Sequence, residues 1–267
     1  MKWDTDAEET VGRIPFFVRG RVRKKVEEEA RGLGAATVTM AHVRGCQQRF
    51  MKNQEREVRG YSVETCFGTG GCSNRIDMDD DLAKRLESLL AGHGLREFMQ
   101  CKVNGPLKMH HEFRVTIADC PNACSRPQIV DIGLIAASIP QATTEPCVSC
   151  GACVAACQEG AISLDTPQPT IDRLGCLGCG RCPTVCPSST IVEERKGYRI
   201  LLGGKLGRHP QLGRKLAGIY APEETLSIVE KCLALFKKEN RSGERFGEIL
   251  NRTGLDFLPS LDWFKSS

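Results

Sequence analysis

The chain has no apolar run of the ~18–20 residues that a membrane-spanning helix needs, so no helical span is expected. Its net charge is only +4, too small an excess to point to nucleic acid as a partner. The opening residues, Met1-Lys2-Trp3-Asp4-Thr5-Asp6, lack the charged-then-apolar order of an export signal. A cytoplasmic location is therefore expected. Also missing are a phosphate-cradling glycine loop, a nicotinamide-binding fingerprint and a Ser/His/Asp grouping. Nucleotide chemistry and triad hydrolysis have no motif to rest on.

Cysteine is abundant, with 15 in the chain. Without an export signal these are read as metal ligands rather than disulfides. All but Cys46, Cys101 and Cys232 fall into spaced groups. The densest group is an internal repeat: Cys147-x2-Cys150-x2-Cys153-x3-Cys157 recurs as Cys176-x2-Cys179-x2-Cys182-x3-Cys186-Pro187. In such runs three thiolates wrap one cubane and the fourth ligates the other. One 4Fe–4S cluster is thus expected on Cys147, Cys150, Cys153 and Cys186. A second is expected on Cys176, Cys179, Cys182 and Cys157. The completeness of the repeat favours iron–sulfur over structural zinc. A third set, Cys66-x5-Cys72 with Cys120-x3-Cys124, can close around one more cluster. So much iron–sulfur chemistry also points to an anaerobic setting.

Periodicity sets out the rest. Residues 1–58 read as helical and highly charged, with Val18, Val22, Val26 and Ala30 spaced as an apolar stripe after Pro15. Arg19, Arg21, Arg23, Lys24 and Lys25 surround it, either a solvated face or a surface for carboxylates. Asp81–Ala91 and Pro222–Lys238 read as amphipathic helices, the second with Leu226, Val229, Leu233 and Phe236 inward. Cys232 falls on that inward face. Ser242 is a candidate cap for a last helix ending at Gly254. Strands are expected at residues 113–117, 129–136 and 198–202.

Two family resemblances rest on these residues. Cys66/Cys72 with Cys120-Pro-Asn-Ala-Cys124-Ser-Arg-Pro, running into Asp131-Ile-Gly-Leu134, resembles the cluster-binding region of sulfite and nitrite reductases. Gly203-Gly-Lys-Leu-Gly-Arg-His-Pro210 resembles the stretch after the ferredoxin insert of anaerobic sulfite reductase subunits. Trp3-Asp-Thr-Asp-Ala7, Arg13-Ile-Pro-Phe-Phe-Val-Arg19 and Val26-Glu-Glu-Glu-Ala30 resemble a helical domain of the light-independent protochlorophyllide reductase B subunit.

The resemblances imply an α+β fold with three parts. Residues 1–58 form a small helical module, 59–139 with 193–267 a sulfite reductase-like domain, and 140–192 an inserted ferredoxin domain with two 4Fe–4S clusters. They imply a sirohaem whose iron is bridged by Cys124. Lys205 and Arg208 are the expected macrocycle contacts. Arg75, Lys108, Arg114 and Arg126 are the expected anion-binding and proton-delivering groups, with His110 and His111 nearby. Asp119 departs from the small neutral residue usual there, and an acid beside a cluster lowers its potential. Where the family carries a half-domain that cradles the tetrapyrrole, this chain has its helical module. Two activities follow. One is six-electron reduction of sulfite or nitrite, fed by an electron donor protein. The other is a sirohaem-free, three-cluster electron-transfer subunit. Either implies a homo-oligomer or a companion redox subunit.

Overall fold

The computed structural model describes residues 1–78 and 81–258, which fall into two compact units. The fold is α+β. The first unit comprises residues 1–59 and 104–110. Three helices, α1 (Thr5–Gly12), α2 (Phe16–Gly32) and α3 (Met40–Glu57), pack around Ala7, Val11, Val26, Ala30, Val38 and Val43. Two short parallel strands, β1 (Lys2–Trp3) and β2 (Thr37–Val38), tie its start to the turn after α2. Half of the expected stripe is core: Val26 and Ala30 are buried, whereas Val18 and Val22 are half-buried. Residues 104–110 join this unit because Leu107 is buried and its N–H donates to Glu55 Oε1 at 3.4 Å.

The second unit is built on a five-stranded sheet. β3 (Tyr61–Thr65), β4 (Phe113–Ala118) and β5 (Ile132–Ala142) run parallel. β8 (Ile191–Leu202) pairs antiparallel with β5, and β9 (Arg214–Lys215) with β8. Between β5 and β8 lie two small helices, α6 (Ala152–Ala156) and α7 (Arg181–Val185), and a two-stranded ribbon of β6 (Ile162–Ser163) and β7 (Thr170–Ile171). Parallel neighbours need a crossover. From β3 to β4 it carries helices α4 (Leu82–Gly92) and α5 (Leu95–Lys102). β4 has neighbours on both sides and is buried almost throughout, Thr116 included; alternation alone reads it as half-buried. Helix α8 (Pro222–Glu239) covers the sheet with Ile228, Val229, Cys232, Leu233 and Phe236, and α9 (Phe246–Thr253) follows. Phe113 contacts Phe236 and Phe246, with ring centroids 5.0 and 5.5 Å apart. Each buried phenyl contributes about 1.5–3 kcal/mol.

Several boundaries differ from the sequence reading for identifiable reasons. β5 and β8 extend well beyond residues 136 and 198 because the ladder continues past a bulge at Ile139/Pro140 as far as Ala142↔Ile191. Residues 143–190 are therefore the tip of one long hairpin. Ser242 does not cap α9; it sits at φ 54° in a turn, and Arg245 holds the N-cap position.

Candidate iron–sulfur sites

β3 and β4 end side by side, with Thr65 paired to Ile117. The loops that leave those two ends carry Cys66/Cys72 and Cys120/Cys124. The C-terminal edge of parallel strands is where α/β sheets commonly place ligands. Backbone bonds hold the loops together: Cys66 N–H donates to Ile117 O at 3.1 Å, and Ile76 N–H to Asp119 O at 2.8 Å. Cys120 is buried, Cys66 half-buried, and Cys72 and Cys124 exposed. Burial pushes the Cys120 thiol above its ordinary pKa, and the thiols of Cys124, Cys72 and Cys66 add to that rise. The four are thus electrostatic neighbours. Cys66 Sγ accepts N–H bonds from Gly68 at 3.4 Å and Asp119 at 3.3 Å. Gly68 is buried against the Asp119 side chain, and any Cβ there would collide with its carboxylate.

The hairpin tip brings its cysteines together in a crossed pattern. Cys147, Cys150, Cys153 and Cys186 line one hollow. Cys157, Cys176, Cys179 and Cys182 line another cavity, whose wall also includes Cys120 and Asn74. Burial pushes Cys182 up to about 12, and the Cys176, Cys179 and Cys157 thiols contribute to the rise. Cys153 is raised in the same way, with Cys186 and Cys147 as its charged neighbours. Burial would raise Cys186 too, but bonds from Ile191 N–H and around Ser188 outweigh it and lower its pKa. In each repeat the N–H two residues after the first cysteine donates to its sulfur: Ser149 to Cys147 and Gly178 to Cys176, both at 3.4 Å. Ala161 N–H donates to Cys157 Sγ at 3.3 Å and Ile191 N–H to Cys186 Sγ at 3.4 Å. Such donors stabilise a thiolate-bound cluster. Among the described residues no three His, Cys, Asp or Glu side chains converge closely enough to hold a single ion. Four thiols to a group, with backbone N–H donors aimed at their sulfurs, form the donor set that a 4Fe–4S cluster would need.

The expected cations are dispersed. Arg75 lies by the first loop, with Nη2 3.2 Å from Asp77 Oδ1 and Nε 3.7 Å from Asp119 Oδ2. Arg126 is exposed, two residues after Cys124, at φ 58°. Arg208 is exposed as well. Lys205 is buried, and its Nζ is 2.7 Å from Glu248 Oε1. Arg114 is half-buried on β4, where its N–H donates to Asp131 Oδ2 at 3.0 Å. Lys108 and His110 belong to the first unit, and His111 to the second.

Two further groups lie beside the cysteine loops without a motif to mark them. Arg181 Nη2 bonds Asn74 Oδ1, tying the N-terminus of α7 to the loop after Cys72. Arg199, on β8, lies against the Cys176–Cys179 turn. A lone arginine in the apolar run Tyr198-Arg-Ile-Leu-Leu202 is the only signal for it in the sequence. Cys232 is fully buried, and burial pushes its thiol pKa up, as suits a core residue.

Comparison with known proteins accords with this geometry. Residues 61–260 match the family model of the nitrite and sulphite reductase 4Fe-4S domain. Residues 3–46 match that of the proto-chlorophyllide reductase 57 kD subunit. The chain is 29% identical over 193 residues to the coenzyme F420-dependent sulfite reductase of Methanocaldococcus jannaschii, covering 71% of this chain and 28% of that protein. It is 27% identical over 208 residues to a subunit of the anaerobic sulfite reductase of Salmonella typhimurium, covering 74% and 56%. Its first part is 50% identical over 40 residues to a subunit of the light-independent protochlorophyllide reductase of Chlorobium chlorochromatii, covering 15% and 7%. The chain thus spans well under two thirds of the length of these relatives. With its sheet, its cysteine loops and three quarters of its length matched, this iron–sulfur protein belongs to the nitrite and sulphite reductase 4Fe-4S domain family.

Proposed function

We propose that the chain carries three 4Fe–4S clusters and passes electrons from the hairpin tip to the sheet edge, for reduction of sulfite or nitrite at a sirohaem. The observation that carries this reading is the shared cavity. Cys157, Cys176, Cys179 and Cys182 line the same space as Cys120, so the second ferredoxin cluster would neighbour the third. The cluster on Cys147, Cys150, Cys153 and Cys186 would be the entry point for a donor protein.

Sirohaem is a polycarboxylate macrocycle and needs cations around it. Cys124 is exposed and can offer its thiolate beyond the cluster. Arg126 and Arg208 are exposed and, among the described residues, without an ion pair; Arg208 fits the carboxylates. Lys205 and Arg75 are already engaged by Glu248 and by Asp77 and Asp119, so further cations would come from a companion redox subunit or a second copy. The Salmonella relative is itself one subunit of its reductase, which supports such a partner. When bound, sirohaem supplies the iron centre for multi-electron reduction of a small oxyanion. Cys124 would hold cluster and macrocycle together, and Arg126 would attract the anion.

A second reading, a sirohaem-free electron-transfer subunit, is favoured by the engagement of Lys205 and Arg75. An anaerobic absorption spectrum with iron and sulfide counts separates the two. About twelve irons from three cubanes with sirohaem bands supports the reductase. The same iron without those bands establishes the carrier. Cys124→Ser is expected to lose the macrocycle in the first case and only one cluster's integrity in the second.

A further inference from the structure

Arg199 stands opposite Ile135 on the β5–β8 ladder. Tyr198, Ile200 and Leu202 are buried, and alternation sends Arg199 to the other face of the sheet. There it meets the hairpin tip. A Cβ on Gly178 would lie 3.1 Å from Arg199 Nη2 and 3.0 Å from Ile139 Cδ1. Gly178 sits between Cys176 and Cys179, and its carbonyl accepts from Ser138 N–H at 2.9 Å. The guanidinium is therefore packed against the turn that carries two thiols.

The internal repeat supplies a control. Ser149 occupies the place of Gly178 in the first run, with the same backbone conformation: φ 54° for Ser149, 60° for Gly178. Ser149 is exposed and Gly178 buried. The second turn carries glycine where the first carries serine, and the second lies against Arg199.

Arg199 is half-buried, and the Cys176 and Cys179 thiols are the groups that act on its charge. Among the described residues it has no carboxylate partner. On the same strand Arg195 pairs with Glu224 and Lys196 with Glu193. A partly desolvated cation without an anion is costly, so its missing anion is to be sought at the Cys176–Cys179 turn it packs against.

We propose that Arg199 is the charge partner of the cluster on Cys157, Cys176, Cys179 and Cys182, and holds that cluster's reduction potential above that of its twin. The inference rests on the reading of this quartet as a 4Fe–4S site. Reduction adds one electron and would make the cluster more negative, so a fixed cation beside its binding turn would favour the reduced form. Transfer from the outer cluster inward is then downhill, toward the cavity shared with Cys120.

The test is an EPR-monitored redox titration of the anaerobically purified full chain, with iron and sulfide counted beforehand. Arg199→Gln is expected to lower one cluster's potential by at least a tenfold change in its reduction equilibrium, about 59 mV for one electron, leaving the others in place. Arg199→Lys keeps the charge and should stay near the wild-type value. Unshifted potentials, or an equal fall in both variants, would overturn the role. Should Arg199→Gln fail to assemble its iron, Arg199→Lys decides: full iron at the wild-type potential upholds the role, and loss of iron there too overturns it. A wild-type chain without the ferredoxin iron would instead overturn the cluster reading beneath it.

Discussion

At the scale of single residues, the cysteine spacings and the groups around them differ in how far the sequence reveals them. Gly68 shows the difference. Its neighbours Cys66 and Cys72 stand out in the sequence as candidate ligands, but the reason for glycine lies 51 positions on, in the Asp119 side chain packed over it. Gly68→Ala is expected to push the two cysteine loops apart. On the proposed three-cluster reading, about four of twelve irons should be lost while the secondary structure survives, as iron counting and circular dichroism would reveal. Full iron retention would mean that Asp119 can step aside. The repeat also predicts a crossed grouping, and Cys157 lines the hollow of the second run while Cys186 lines that of the first. Lys205 is the opposite case. From sequence it reads as a free cation beside a glycine pair; its partner, Glu248, lies 43 positions on, across a packing that no local pattern encodes.

At the scale of elements, the ion pairs that dock α9 are the parts most open to test. Asp131, at the start of β5, is almost wholly buried and accepts from Arg245 Nη2 at 2.9 Å and from Arg114 N–H at 3.0 Å. Removing one partner of a buried pair leaves the other uncompensated and costs about 3–5 kcal/mol. Asp131→Ala should therefore lower the urea midpoint sharply, and Asp131→Asn, which keeps an acceptor, much less. Glu248 adds a pH dependence. Burial would raise its pKa, but bonds from Lys205 and the Arg245 backbone hold it below the ordinary value. A depressed carboxyl stabilises the fold above its unfolded pKa, and that contribution fades as pH falls through the folded one. Lys205→Met is expected to flatten the acid limb of a Tm-against-pH curve below about pH 4.3; an unchanged slope would assign the acid sensitivity elsewhere. Helix α8 was legible because its apolar face repeats over many turns. Helix α5 was not, since Leu95 and Met99 are its only buried residues, too few for a period to show.

At the scale of the whole chain, the cysteine-rich segment is the tip of a hairpin. β5 and β8 stay paired past the bulge at Ile139/Pro140 up to Ala142↔Ile191, and residues 143–190 lie between the two members of that last pair. Composition reveals where the cysteine-rich segment lies, but not that the strands flanking it continue into one ladder, because register depends on a partner strand. The topology has a direct consequence. Two strands closing side by side can be joined by a two-residue Asn-Gly turn. Replacing residues 143–190 with that turn should leave the sheet continuous, with Cys66, Cys72, Cys120 and Cys124 still at the ends of β3 and β4. On the proposed three-cluster reading, iron is expected to fall from about twelve to about four per chain, with the helix and strand content of the remainder retained. The turn variant would expose Cys120, which now faces the shared cavity, so the surviving cluster should become more sensitive to oxygen. Loss of all iron with an intact sheet would show that the third cluster needs the wall supplied by the tip. Unfolding would show that the bonds of Ser138 and Arg181 to and from the tip carry more of the stability than the ladder itself.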